Sequence, residues 1–435
     1  MKKYSILIVI LIIFQFLWAC NSASNENKIE IAKANDYQRY FKIDKNEKLE
    51  ITLKEINFWQ NKFDNAPNQY TYLVKLSGLY SQLFEITGAI ENLYMAEKLL
   101  LDSNMRTNGE NASIQRAIAR NYISQHRFKE ALTHLEVAVK LGEKKIDTQK
   151  MLFDVYMELG SYNQAKNQLT IIQDFKDFDY LIRLAKWNDH IGELDNAIKA
   201  MEKAMILAEN AKNNNQIEWI YSNLADFYGH AGRIEESYNY YLKTLELDNN
   251  NMYALKGIAW IAFSHDRNTN KSLEIINFIE NHHLVPDLYL LKSDIYDYEN
   301  NTLKSKEAIK KYLELISKNN YGDMYNAYNV FLYNEVLDKK NEALELAKKE
   351  ISNRPTPESY DLLAWTYYNL GDFNKAFEIA SAYTINKSHE PTILFHNELI
   401  LKANNKLTSE NSNKGELLES IYELGPNLES QIKEI

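Results

Sequence analysis

The stretch Tyr360-Asp361-Leu362-Leu363-Ala364-Trp365-Thr366-Tyr367-Tyr368-Asn369-Leu370-Gly371-Asp372-Phe373-Asn374-Lys375-Ala376 decides the fold. Tyr360, Leu363, Ala364 and Tyr367 stand at i, i+3, i+4 and i+7, so they line one face of a helix. Gly371 follows as a residue that can turn left-handed and end that helix. Asp372 is placed to cap a second helix, whose buried face starts at Phe373 and Ala376. The stretch therefore reads as two antiparallel helices around a tight turn, with two small residues where they cross.

The same pattern recurs along the chain. Small or compact residues twelve apart are Ser77/Ala89, Ala119/Ala131, Phe153/Ala165, Ala185/Ala197, Ala225/Ser237 and Ala364/Ala376. Leu or Ile precedes the first member each time, at Leu76, Ile118, Leu152, Leu184, Leu224 and Leu363. Three residues after it come Tyr80, Tyr122, Tyr156, Asn188, Tyr228 and Tyr367. Gly160, Gly192, Gly232 and Gly371 fall seven after it. Small residues let the two helices approach closely, and the larger ones fill the space to the next pair.

This repeat resembles the tetratricopeptide repeat, a helix–turn–helix unit of about 34 residues. Ala131 to Ala165 is 34 residues, Ala165 to Ala197 is 32 and Ala343 to Ala376 is 33. The resemblance implies an all-α, right-handed superhelical solenoid of nine or ten units. The array spans 70–385, most regular over 70–247 and 357–385 and degenerate over 252–356. In that middle stretch one extra residue falls between Ile258-Ala259 and Ser272, and an insertion is expected near Asn300-Asn301. Residues 386–435 read as a degenerate terminal helix pair, with a polar loop around Asn404 to Lys414. Leu49, Leu53, Ile56 and Phe63 suggest that the region 37–69 holds an amphipathic helix capping the other end.

The start of the chain has a different character. Lys2 and Lys3 precede a nearly unbroken apolar run from Tyr4 to Trp18, which ends in Leu17-Trp18-Ala19-Cys20. A basic start, an apolar core and a small residue before a cut describe a secretory signal over residues 1–19. The tetrapeptide resembles a bacterial lipoprotein box, which implies a diacylglyceryl group on Cys20 and cleavage after Ala19. An uncleaved anchor and a plain cleaved signal are the other readings of the same residues. Residues 20–36 are expected to be a flexible tether. Asparagine-, lysine- and isoleucine-rich usage resembles that of Bacteroidota envelope proteins. Asn21 lacks the acidic residue that resembles an inner-membrane retention signal, which favours the outer membrane.

Apolar residues make up 45% of the chain and charged ones 25%, the range of folded soluble proteins. Glycine (13) and proline (6) are scarce, which suits long helices with short joints. The formal charge of −10 becomes −12 once Lys2 and Lys3 leave with the signal. With no basic run, nucleic acid is not an expected partner. Cys20 is the only cysteine, so no intrachain disulfide or cysteine metal site can form. Phosphate loops, HExxH helices and GxSxG elbows are absent, and neither an enzyme nor a cofactor is expected. His282-His283 reads as an exposed loop. Asp294 and Asp297 share a helix face and could serve acid–base work or a cation, but as a pair they read as solvated surface.

In the tetratricopeptide family the first helix of each unit lines a concave groove. By that resemblance Arg116, Arg120, Lys150, Asp154, Lys186 and His190 fall in the N-terminal half of the groove. Asp226, His230, Trp260, Asp294, Asp297, Trp365 and Tyr368 fall in the C-terminal half. The expected surface runs from basic to aromatic and acidic, as peptide-binding surfaces do. The expected function is a non-catalytic, lipid-anchored envelope scaffold for a protein or peptide partner. The alternative is an outer-membrane lipoprotein that captures a ligand such as a glycan.

Overall fold

A computed structural model describes residues 30–42 and 46–435 of the chain. The expected signal peptide, Cys20 and the tether up to residue 29 lie outside the described residues. Among the described residues every regular element is helical, and consecutive helices pack in pairs. Units one to five are Tyr70–Thr87 with Glu91–Arg106, Ala112–Ser124 with Phe128–Leu141, Lys145–Glu158 with Tyr162–Ile171, Phe178–His190 with Leu194–Ala211, and Asn214–His230 with Ile234–Leu247. Units six to nine are Met252–Trp260 with Thr269–Glu280, Asp287–Tyr298 with Thr302–Lys318, Asn326–Glu335 with Lys340–Asn353, and Pro357–Asn369 with Phe373–Tyr383. A tenth begins with Pro391–Ala403, and its second half breaks into the short helices Lys414–Glu419, Ile421–Leu424 and Glu429–Glu434.

The crossing residues explain why the pairs close. Ala119, Ala131, Phe153, Ala165, Ala185, Ala197, Ala225, Ser237, Ala364 and Ala376 are all 0% exposed. Asp372 caps the second helix of unit nine, its carboxylate accepting from the Lys375 N–H at 3.0 Å. Unit one departs from its sequence register. Gly88 is its turn residue, and Leu93 stands five beyond it, as Ala165, Ala197, Ser237 and Ala376 stand five beyond theirs. Ala89 lies in the turn itself, before the second helix begins at Glu91.

The middle units are more regular than their sequence. Each of units one to nine turns through a residue of positive φ five before the crossing position of its second helix: Gly88, His126, Gly160, Gly192, Gly232, Arg267, Asn300, Asp338 and Gly371. Backbone hydrogen bonding in the turn imposes the left-handed conformation whether or not a glycine is present, and His, Asn and Asp tolerate it better than most. Asn300 is thus the turn residue of unit seven, with Ser293 and Ser305 bonded through their hydroxyls (2.9 Å) twelve residues apart, so no insertion is needed there. The extra residue of unit six is real. It is absorbed by a π turn at Ile261–His265, after which the Ser272 hydroxyl still donates to the Ala259 carbonyl at 2.8 Å. Asp338 is exposed and carries left-handed strain of about 1 kcal/mol. Asp338→Gly is expected to raise the free energy of unfolding by up to that amount, read from denaturant titration.

The superhelix closes on itself, because the turn of each early unit meets the entry to the unit six further on. A Cβ on Gly88 would lie 2.5 Å from Val285, just ahead of unit seven. At Gly160 it would lie 2.6 Å from the Pro355 carbonyl oxygen, ahead of unit nine, and at Gly192 it would lie 2.7 Å from the His389 ring, ahead of unit ten. The equivalent glycines of units five and nine, Gly232 and Gly371, face open space, since no further turn lies beyond them. Ile90, Leu93 and Tyr321 form a buried cluster between units one and seven. The Arg354 guanidinium pairs with Glu158 at 2.7 Å and lies 5.1 Å over the Phe128 ring.

The capping helix is present as Glu47–Asn65, and of the four residues expected on its inner face Leu53 alone is exposed. Thr52 and Ile56 are its buried residues, with Trp59 and Phe63 against Leu76 and Leu79, whereas Leu53 faces outward at 43% exposure. From Glu30 onward the chain is docked. The Asp266 carboxylate accepts the N–H groups of Ile31 and Ala32, at 3.1 and 2.8 Å, and Phe41 stacks on Phe278 at 4.5 Å. Tyr37 is fully buried in the core of unit six.

Candidate functional site: an occupied concave face

The first helices of the units carry the expected groove residues, and most of these are already paired. In the N-terminal half, buried Arg116 donates to the Glu143 carbonyl at 2.8 Å, tying unit two to unit three. Lys150 is buried between Asp177 (2.9 Å) and Asp179 (3.0 Å) of unit four's entry. Arg183 reaches Asp154 at 2.6 Å, and Lys186 reaches Glu158 at 2.8 Å. Burial holds Asp154 above the ordinary carboxylate range, against the pull of Arg183. Burial works the same way on Glu158, but Lys186 and Arg354 overcome it and hold that carboxyl low. His190 lies on the Tyr162 ring at 4.1 Å, and burial lowers its proton affinity. Of this group Arg120 alone is exposed, near Glu85. Acids of the neighbouring units, following for Lys150 and preceding for Lys186, neutralise much of the expected basic half.

The aromatic part of the C-terminal half divides in two. Trp365 is only 7% exposed; its indole donates to Glu335 at 2.7 Å. Its faces carry Tyr368 (4.8 Å) and His396 (3.9 Å), both nearly parallel to it. His396 in turn bonds buried Asp361 at 2.8 Å. This is a structural stack with no open ring. Trp260 is different, because its indole N–H points into the concavity.

What meets Trp260 is the C-terminal segment of the same chain. The Tyr422 carbonyl accepts from Trp260 Nε1 at 3.1 Å and from the Ser264 hydroxyl at 2.5 Å. Glu423 pairs with His230 Nδ1 at 2.9 Å, and Glu429 with Arg267 at 3.0 Å. The Asn427 amide donates to the Asp294 carbonyl at 2.8 Å. Gly229 leaves room for the Tyr422 ring, since a Cβ there would lie 3.0 Å from it. Asp226, at the back of the site, accepts from the hydroxyls of Tyr241 and Tyr253. The site thus gathers Asp226, His230, Trp260 and Asp294, and leaves Trp365, Tyr368 and the N-terminal residues elsewhere. Ser264, Arg267, Tyr422 and Glu423 were not legible as site residues. The one signal was the Gly425-Pro426 break after the Tyr422-Glu423 pair, in a stretch read as part of the degenerate terminal helix pair.

The electrostatics of the concavity are acidic. Enclosure by the surrounding walls, with Asp297 and Glu335 adding repulsion, pushes Asp294 up to about 7, although its side chain reaches solvent. Glu390 is likewise pushed up to about 7, by enclosure first and then by Glu423, Glu358 and Asp189. Burial works to lower His230, but Glu423, Asp189 and Asp226 face it and together raise it to about 9. A histidine whose folded value is raised contributes stability in full below 6.5 and loses it as pH rises through about 9. The melting temperature is therefore expected to fall across that window, and Glu423→Gln is expected to flatten the fall.

Among the described residues no helix is long and apolar enough to cross a membrane, and no group of three His, Cys, Asp or Glu side chains could hold a metal ion. The tetratricopeptide-repeat model matches residues 220–251, 286–319 and 357–382, which are units five, seven and nine. No curated protein matches the chain in sequence. Solved structures of similar fold include a tetratricopeptide repeat protein from Parabacteroides merdae, 16% identical over 56% of this chain and 92% of that one (TM-score 0.39). Pseudomonas aeruginosa pilF is 12% identical over 47% and 91% (TM-score 0.36). The human IFIT1 dimer with m7Gppp-AAAA is 13% identical over 76% and 76% (TM-score 0.46). The three matched units share their turn register with the units between and before them, and the array is built of tetratricopeptide repeats.

Proposed function

We propose that this chain is a non-catalytic scaffold that holds a protein or peptide partner on its concave face and is tethered to the bacterial cell envelope, at the outer membrane, through lipidated Cys20. One observation carries the first part. Trp260 and Ser264 read a main-chain carbonyl while His230 reads the adjacent glutamate, which is the chemistry of peptide recognition. At Trp365 the ring is taken up by Tyr368 and His396 stacked nearly parallel to it, so that residue lends no support to the glycan-capture alternative. Support for the tether is the sequence Leu17-Trp18-Ala19-Cys20.

Affinity purification of the full-length chain from crosslinked membranes, with mass spectrometry, tests both parts. The expected result is a protein crosslinked to residues of units five to seven and an acylated Cys20. Recovery of soluble chain with an unmodified Cys20 would remove the tether. Crosslinks confined to the outer helices would remove the concave face.

A further inference from the structure

The C-terminal segment is held in two distinct ways. Its ends belong to the tenth unit: Leu417 and Ile432 are 0% exposed and pack against Leu394 and Phe395. Its middle, Ile421–Leu424, contains no buried residue. That middle crosses to units five and six, where polar contacts and one ring hold it, while Ile421 and Leu424 stay half-buried against the tenth unit. The contacts to units five and six are the Tyr422 carbonyl on Trp260 and Ser264, Glu423 on His230, and the Tyr422 ring over Gly229. Gly425 then turns at φ +85°, where a Cβ would lie 3.3 Å from Trp260.

We propose that Tyr422–Gly425 is a resident pseudo-ligand of the concave site. The partner would be a protein that presents an aromatic–glutamate pair in a helical turn and displaces this segment. The geometry favours exchange over a permanent seal. The apolar anchors at Leu417 and Ile432 are fully buried in the tenth unit and make none of the contacts to His230, Trp260 and Ser264, so those contacts can open while the segment stays attached. Its groups in the site are a main-chain carbonyl, a carboxylate and a phenol ring, all of which another chain can supply. Being tethered, the resident competes at high effective concentration, so it sets a threshold that a weak aromatic–acid peptide does not pass. The inference rests on the concave-face reading and specifies its ligand.

The test uses the full chain and a fluorescein-labelled synthetic peptide spanning residues 417–430, followed by fluorescence anisotropy. The unaltered chain is compared with Tyr422→Ala/Glu423→Ala, in which the resident loses its grip. The peptide is expected to bind the double variant at least about tenfold more tightly than the unaltered chain. Adding His230→Ala and Trp260→Ala is expected to abolish that binding with helical circular dichroism unchanged. Hydrogen exchange in the unaltered chain gives a second reading: amides of 421–425 are expected to open faster than those of 214–230. Equal affinity for both chains, or no binding to either together with exchange at 421–425 as slow as at 214–230, would overturn the proposal. The segment would then be a fixed closing contact, and a partner crosslinked elsewhere on the concave face would still uphold the scaffold reading.

Discussion

Gly160→Ala is expected to destabilise the chain by about 3 kcal/mol, whereas Gly371→Ala at the same register of unit nine costs about 1–2 kcal/mol. Both glycines have positive φ, +67° and +81°, so both substitutions carry the left-handed strain of an L side chain. Only Gly160 has a second turn of superhelix against it. Its Cβ would lie 2.6 Å from the Pro355 carbonyl oxygen, a main-chain atom that cannot rotate away, while nothing lies within 4 Å of a Cβ on Gly371. The excess cost of the first over the second measures closure. Chemical denaturation of the two variants beside the unaltered chain reads it. Equal losses would mean that the units six apart do not touch in solution.

Gly257→Ala is expected to cost about 2 kcal/mol even though alanine is the better helix former by about 1 kcal/mol. Gly257 sits within Met252–Trp260, and a Cβ there would fall 2.2 Å from Cζ of Tyr241. The ring cannot swing aside without loss, because Tyr241 is 4% exposed and its hydroxyl is bonded to Asp226. Displacing it would also disturb Asp226 behind the His230–Trp260 site. Gly78→Ala is the control. Nothing lies within 4 Å of a Cβ at Gly78, and it is exposed within Tyr70–Thr87, so that substitution is expected to stabilise the helix. Thermal melts of the two variants should move in opposite directions. A rise for Gly257→Ala would show that the Tyr241 ring is not locked in place.

The sequence disclosed the units through their small crossing residues and glycine turns, because helix pairing is a local matter. It under-read the middle units for an equally physical reason. Arg267, Asn300 and Asp338 take the same left-handed turn as the glycines, driven by the hydrogen bonding of the turn, and no glycine marks them. The extra residue of unit six was countable, but its absorption into the π turn at Ile261–His265 was not. Groove residues were placed on the correct helices, yet their availability depends on partners in the next unit, as Lys150 depends on Asp177 and Asp179. Closure left no periodic trace. Glu158 and Arg354 are 196 residues apart and meet only because the superhelix completes a turn. The C-terminal crossing was hidden in the same way, since Tyr422 and Trp260 share no register.

Closure positions the concave site, the N-terminal docking and the resident segment together, and it rests most visibly on Glu158 and Arg354, 2.7 Å apart across the seam. A double-mutant cycle with Glu158→Gln and Arg354→Gln tests it most directly, because Lys186 and the other neighbours of Glu158 cancel in the cycle. A coupling free energy of about 0.5–2 kcal/mol is the result the closed superhelix predicts for this partly buried pair. A coupling indistinguishable from zero, with both single variants fully helical, would contradict it.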